Sequence, residues 1–147
     1  MVQQTQTRIT TTEYYALPAY KKNEFIQLID GYVVIPERPS IKHQSIIGNI
    51  TLVLGQTREE IGGQVFIILT EVKLDDENVF EPDVFYIAPE NMSIAQQDEK
   101  RIVGAPDLVV EVLSPSTARY DRQQKYLAYQ AHGVREYWIV DPVHETI

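Results

Sequence analysis

Glu111 is a lone carboxylate among Leu108, Val109, Val110, Val112 and Leu113. A carboxylate in such surroundings is desolvated at a cost of several kcal/mol unless something compensates it. The compensation is a cationic side chain such as Lys125 or Arg122, a proton taken up by a raised pKa, or a divalent metal ion. Asp83 is the second acidic candidate, because it follows Pro82 and opens the apolar run VFYI, where a side chain sits at a strand end. Alone it reads first as a turn residue. Brought together with Glu111, it makes an oxygen-rich, negatively charged site suited to magnesium or manganese rather than zinc.

Lys125 follows Asp121 by four residues. That spacing describes either a solvent-facing helical ion pair or a lysine reaching back over the preceding strand to orient water or neutralise charge on a phosphate. Glu71, with Lys73 two residues on, is a further ligand or a cross-strand partner, and His43 is a phosphate or metal contact or a polar surface group. Ser114, Ser116 and His132 superficially suggest a nucleophile and base, but no Gly-x-Ser-x-Gly turn surrounds either serine.

The absence of cysteine removes disulfides, thiolate zinc sites, iron-sulfur clusters and thiol nucleophiles together, and is compatible with a reducing cytoplasm. Phosphate-cradling glycine loops, dinucleotide fingerprints, HExxH and EF-hand spacings are also missing. Net charge is −8, and residues 51 to 100 carry the excess, with 11 acidic against 3 basic groups. Such a balance disfavours a protein that coats nucleic acid electrostatically. No apolar run approaches the roughly 18 to 20 residues of a membrane span, and MVQQTQTRITTT lacks the apolar core of a signal peptide, so a cytoplasmic protein without membrane contact is expected.

The elements that must position these residues are legible in part. Thr10 and Glu13 have capping-box spacing for a short helix that Pro18 ends, and FIQLID and YVVIP flank Asp30-Gly31 as a hairpin. Ile46, Ile47, Ile50, Val53, Leu54 and Ile61 recur at helical steps after Ser40, a candidate N-cap, up to Gly62-Gly63. QVFIILTEVKL then reads as one long strand, VFEPDVFYI as another with Pro82 at its entrance, and residues 88 to 106 as surface loop. LVVEVL reads as a strand buried on both faces. A helix from Ser116 or Thr117 to His132 follows, then the strand EYWIV, whose Tyr137 and Trp138 suit a core or dimer interface. With 147 residues, no repeat and no linker, one α/β or α+β domain is expected.

EPDVFYI followed by PDLVVEVLSPSTARYDRQQKYLAYQAHGVREYWIVDP resembles the Uma-type restriction endonuclease family, part of the PD-(D/E)XK nuclease superfamily. The likeness extends through FIQLIDGYVVIPERPSIKHQ and the long helix, so it spans nearly the whole chain. It implies a restriction-endonuclease-like core, a mixed β-sheet flanked by helices, and magnesium-dependent hydrolysis of DNA phosphodiesters. Asp83 and Glu111 match the two acidic half-motifs and would be metal ligands. Leu113 stands where the superfamily lysine usually does, and the resemblance supplies Lys125 from the next helix instead. Gln27 replaces a usual Glu four residues before the hairpin glycine, and a neutral amide is a poorer cation ligand. Relatives continue past IVDP with further strand, so a shortened C-terminus and a homodimer covering the exposed edge are expected. Two alternatives stand beside the nuclease: a catalytically silent module that acts by dimerising or binding a protein partner, with Glu111 and Lys125 a buried pair, and a carboxylate-based glycosidase, for which no aromatic platform is apparent.

Overall fold

The computed structural model describes residues 3–22 and 24–147. Fifteen elements follow one another: β1 (Gln3–Gln4), α1 (Thr11–Ala16), α2 (Pro18–Lys21), β2 (Gln27–Ile29), β3 (Tyr32–Ile35), α3 (Ile41–Ile61), β4 (Gln64–Ile67), β5 (Glu71–Lys73), β6 (Val79–Phe80), β7 (Val84–Ile87), β8 (Arg101–Val103), β9 (Leu108–Val112), α4 (Ala118–Arg122), α5 (Gln124–Ala131) and β10 (Glu136–Val140). No helix among the described residues is long and apolar enough to cross a membrane.

The local signals at the N-terminal half act as their chemistry requires. Thr10 and Glu13 form both halves of a capping box, and Leu17 is forced into extended backbone by Pro18, which ends α1 and opens α2 at its first turn. Asp30 and Gly31 both have positive φ, 51° and 76°, the geometry of the tight turn that joins β2 to β3. The Ser40 hydroxyl accepts from the His43 amide and starts α3.

Two mixed sheets result, a six-stranded one in the order β1-β3-β2-β6-β5-β8 and a four-stranded one in the order β10-β9-β7-β4. In the second, β10 runs parallel to β9, whereas β7 is antiparallel to both β9 and β4. Three apolar clusters define the layers. Tyr14, Ile26, Leu28, Val33 and Val79 seat α1 and α2 on the six-stranded sheet. Val72, Phe80, Phe85, Val109 and Tyr129 join the two sheets and α5. Ile47 of α3 packs with Val84, Val110, Val112 and Val140 on the far face of the four-stranded sheet. The architecture is therefore α+β, mixed sheets flanked by helices.

The structure departs from the sequence expectation at four places, and the first two shape the site. Residues 64 to 74 are two strands, not one: Leu69 has a φ of 69°, and β4 and β5 belong to different sheets. Residues 79 to 87 are likewise divided, with β6 in one sheet, β7 in the other and Glu81-Pro82-Asp83 at the corner between them. A run of apolar residues has no mark that tells a continuous strand from one that changes sheets, because both bury the same side chains. The third departure is the stretch 88 to 106, which holds a 3₁₀ segment over Pro89–Ala95 and the strand β8 rather than loop throughout. The helix expected after the SPST turn also breaks at Gln123, whose backbone (φ −123°, ψ −84°) is not helical, into α4 and α5.

Gly63 holds φ 77°, and a methyl group there would meet the Ile87 carbonyl and lie 2.7 Å from the Tyr86 ring. Gly63→Ala is expected to destabilise the fold by about 2 kcal/mol or more, combining a strained backbone with overpacking. Gly48 lies within α3 with nothing near its Cβ position. Gly48→Ala should stabilise by up to about 1 kcal/mol. Denaturant midpoints of the two variants beside wild type check the contrast, and equal shifts would show that packing against β7 is not what Gly63 serves.

Candidate functional site

The alternation of side chains along β9 decides where Glu111 points. Val110 and Val112 face α3, so Val109 and Glu111 face the space between the sheets, where α5 lies. All five residues of β9 are buried, and the carboxylate meets two donors there. Lys125 Nζ and Tyr129 Oη, one turn apart on α5, both donate to Glu111 Oε1 at 3.0 Å. Lys125 Nζ is also 3.1 Å from Asp121 Oδ1, so one lysine lies between two buried carboxylates. Lys125 is only 2% exposed, which excludes the solvent-facing pair and leaves the lysine that reaches back over the strand. Burial pushes the Glu111 carboxyl up, against the opposing pull of the Lys125 charge. Burial would lower Lys125, but Asp121 and Glu111 outweigh it and hold the ammonium protonated.

Asp83 comes to the same face by the same parity, because Phe85 and Ile87 of β7 lie in the inter-sheet cluster while Val84 faces α3. The ladder pairs Val84 with Val110, and one step further sets Asp83 across from Glu111. Asp83 Oδ2 accepts from the Val112 amide at 2.8 Å, which locks the carboxylate to the end of β9. His43, buried at the start of α3, places Nε2 2.8 Å from the Val112 carbonyl and 3.3 Å from Asp83 Oδ2. A carbonyl only accepts, so Nε2 carries the proton in this contact. Burial alone would lower the His43 pKa, yet the hydrogen bond and charge of Asp83 raise it above the ordinary value. The surface role considered for His43 is thus replaced by a buried clamp between α3, β7 and β9.

Asp83, Glu111 and Lys125 line one open cavity of about 690 Å³, together with Gln27, His43 and Glu81. The corner between β6 and β7 forms one side of it, and Ile68 and Leu69 at the corner between β4 and β5 form another. Gln27 accepts the Glu81 amide on its Oε1 at 3.2 Å, so its side chain holds the corner in place. Glu81 is the carboxylate that the sequence reading passed over. Its Oε2 is buried with no hydrogen-bond partner, and burial reinforced by Glu71 pushes the carboxyl up to about 7. The signal was present in Glu81-Pro82-Asp83, where an acid stands on each side of a proline.

Glu71 lies outside the lining of this cavity. It is ion-paired to Arg101 at 3.0 Å, its register partner in the parallel β5–β8 pair, whereas Lys73 pairs with Asp76. Of the arginines near Lys125 in sequence, Arg122 pairs with Asp141, and Arg135 lies toward Glu90 and Asp107. Ser114 bonds to the hydroxyls of Ser116 and Thr117, and the ring of His132 contacts Ala128 and Asp75. That histidine and those serines form no nucleophile and base pair.

The donor chemistry of the cavity suits a hard cation, since Asp83 and Glu111 offer carboxylate oxygens and neither thiolate nor a histidine cluster competes. No group of three or more His, Asp or Glu side chains among the described residues is placed to hold one ion together. A pair of carboxylates with the remaining positions filled by water is how magnesium is ordinarily held.

Comparison with known proteins agrees with this architecture. An uncharacterized protein of Synechocystis sp., sll1609, is 31% identical over 148 residues, covering 96% of this chain and 79% of its own length. A crystal structure from Anabaena variabilis, described as a putative nuclease belonging to DUF820, superposes with a TM-score of 0.74 at 22% identity, over 92% of this chain and 75% of that one. The second likeness establishes the fold. The model of the Uma2 family, described as "Putative restriction endonuclease", matches residues 11–147, and the chain belongs to that family.

Proposed function

We propose that the chain is a divalent-metal-dependent endonuclease that hydrolyses DNA phosphodiester bonds, working as one domain over residues 1–147, in the cytoplasm and as a homodimer. The observation that carries the reading is the convergence of Asp83, Glu111 and Lys125 on one open cavity at the corner where the chain changes sheets. Asp83 and Glu111 would hold Mg²⁺ or Mn²⁺, which supplies a Lewis acid and lowers the pKa of bound water. The remaining work falls to the protein. The Val112 amide and His43 hold Asp83 Oδ2, leaving the other oxygen to coordinate. Lys125 and Tyr129 bond only to Oε1 of Glu111 and so orient its second oxygen. The Lys125 ammonium, kept charged by two carboxylates, counters charge that develops on the phosphate.

One observation favours a second reading. Lys125 and Glu111 are both buried and in direct contact, as they would be in a silent module that acts through dimerisation or a protein partner.

Calorimetric titration with Mg²⁺ or Mn²⁺ is expected to show binding by wild type, and binding lost in Asp83→Ala and Glu111→Ala, with plasmid nicking down by at least about 100-fold in both. Wild type that neither binds metal nor nicks plasmid sinks the nuclease reading and favours the silent module. Lys125→Met should cost about 3 kcal/mol or more of stability, because it strands Glu111 and Asp121 as buried carboxylates without a cation. Adding Glu111→Gln and Asp121→Asn to that variant should recover part of the loss in thermal melts. No recovery would mean that Lys125 stabilises by packing and not by charge.

A further inference from the structure

The cavity of the acidic pair cannot attract a polyanion by itself. Glu24, Glu37, Glu81, Asp83 and Glu111 line it, against Arg38 and Lys125 as its Lys and Arg cations. Even with a divalent ion between two of the acids, a phosphodiester chain has to be held from somewhere else.

A second cavity of about 600 Å³ adjoins the first and shares Glu37, Arg38, His43 and Ser114 with it. Its charge balance is the reverse. Arg38, Lys42 and Arg122 face it with His144, while Glu37 and Asp141 are its only acids. Arg38 has no hydrogen-bond or ion-pair partner among the described residues, and it stands between Pro36 and Pro39, which restrict the loop that carries it. Arg122 keeps half of its side chain exposed while it touches Asp141. Lys42 donates to the Pro142 carbonyl at 2.7 Å, joining the start of α3 to the segment after β10 as one wall of the cavity.

The turn Ser114-Pro115-Ser116 also lines it, with chemistry that the metal site leaves unused. Ser114 Oγ lies 3.1 Å from Ser116 Oγ and 2.9 Å from Thr117 Oγ1. Linked hydroxyls can each pass a hydrogen bond along, so one of them can turn its proton to an anion while it still accepts from its neighbour. Cations, free guanidinium donors and hydroxyls around one concavity are the groups that recognise phosphate oxygens. Ser114 stands on the seam between this cavity and the one that holds Asp83 and Glu111.

We infer that this second cavity seats the phosphate next to the one that is cut, with Arg38, Lys42 and Arg122 as its cationic contacts and the Ser114 and Ser116 hydroxyls as donors. The strand then passes from the basic cavity over Ser114 into the acidic one. This rests on the nuclease reading for the identity of the polymer.

The test is fluorescence anisotropy with a labelled thymidine octamer, in EDTA and across a salt series, using the full chain. Wild type is compared with Arg38→Ala/Lys42→Ala/Arg122→Ala and with a control of equal charge, Arg58→Ala/Lys73→Ala/Arg135→Ala, after denaturation midpoints show that all are folded. Loss of three phosphate contacts should flatten the plot of log K against log salt by about 2, at roughly 0.7 per contact on a single strand. Affinity at low salt should fall at least about tenfold in the first variant, with the control close to wild type. Equal change in both variants, change in neither, or no binding by wild type overturns the assignment. Inorganic phosphate displacing the octamer as tightly as the octamer itself binds would also overturn it, by making the cavity a small-anion site. Plasmid nicking with Mg²⁺ is scored separately: nicking without the slope change refutes this assignment alone, and the slope change without nicking refutes the nuclease reading, and with it the placement beside a cut phosphate, while the phosphate contacts themselves stand.

Discussion

One carboxylate on a strand buried on both faces sets the terms for the rest of this structure. β9 lies in the interior of its sheet with every residue buried, and Glu111 is the one position on it that cannot be left to apolar packing. Lys125 and Tyr129 answer it from α5. Both lie on the second of two short helices, which starts after the chain breaks at Gln123. Asp121, on the helix before the break, completes the charge balance of Lys125. Both helices thus contribute charged partners around one buried side chain, which also lines a cavity.

The second determinant is the corner at Glu81-Pro82-Asp83. Proline has no amide to give to a ladder, so it suits the point where the chain leaves one sheet and enters the other. The acidic residues on both sides of it, Glu81 and Asp83, are part-buried and line the same cavity. Asp83 is then held by the Val112 amide and His43, and Gln27 steadies the corner through the Glu81 amide. Gln27 thus has structural work at a position where the resemblance placed a ligand, and Glu81 brings a carboxylate to the same cavity from another strand end.

Charge is sorted between neighbouring concavities on a chain of net charge −8. The acids gather where the sheets part, and Arg38, Lys42 and Arg122 gather beside them around the serine turn. On the nuclease reading, this resolves the tension between an acidic protein and a polyanionic substrate, since short-range cations matter more at physiological salt than net charge felt across a Debye length.

The sequence by itself determined the local events and the odd residue in an apolar run. The Thr10–Glu13 cap, the Asp30-Gly31 turn, the Ser40 start of α3 and the buried character of LVVEVL each follow from interactions within a few residues, and so they were legible. Glu111 stood out because its neighbours are apolar, and Asp83 because it follows a proline. The tertiary structure alone decided which runs are single strands, because an apolar segment buries the same side chains whether it stays in one sheet or crosses to another. It alone decided that Lys125 and His43 point inward and that Glu71 pairs with Arg101. Apart from Asp121, four residues before Lys125, the partners that make these groups worth burying lie 14 residues away for Lys125, 40 for His43 and Asp83, and 30 for Glu71 and Arg101. No window of sequence spans such distances, and only folding brings the compensating charges within reach.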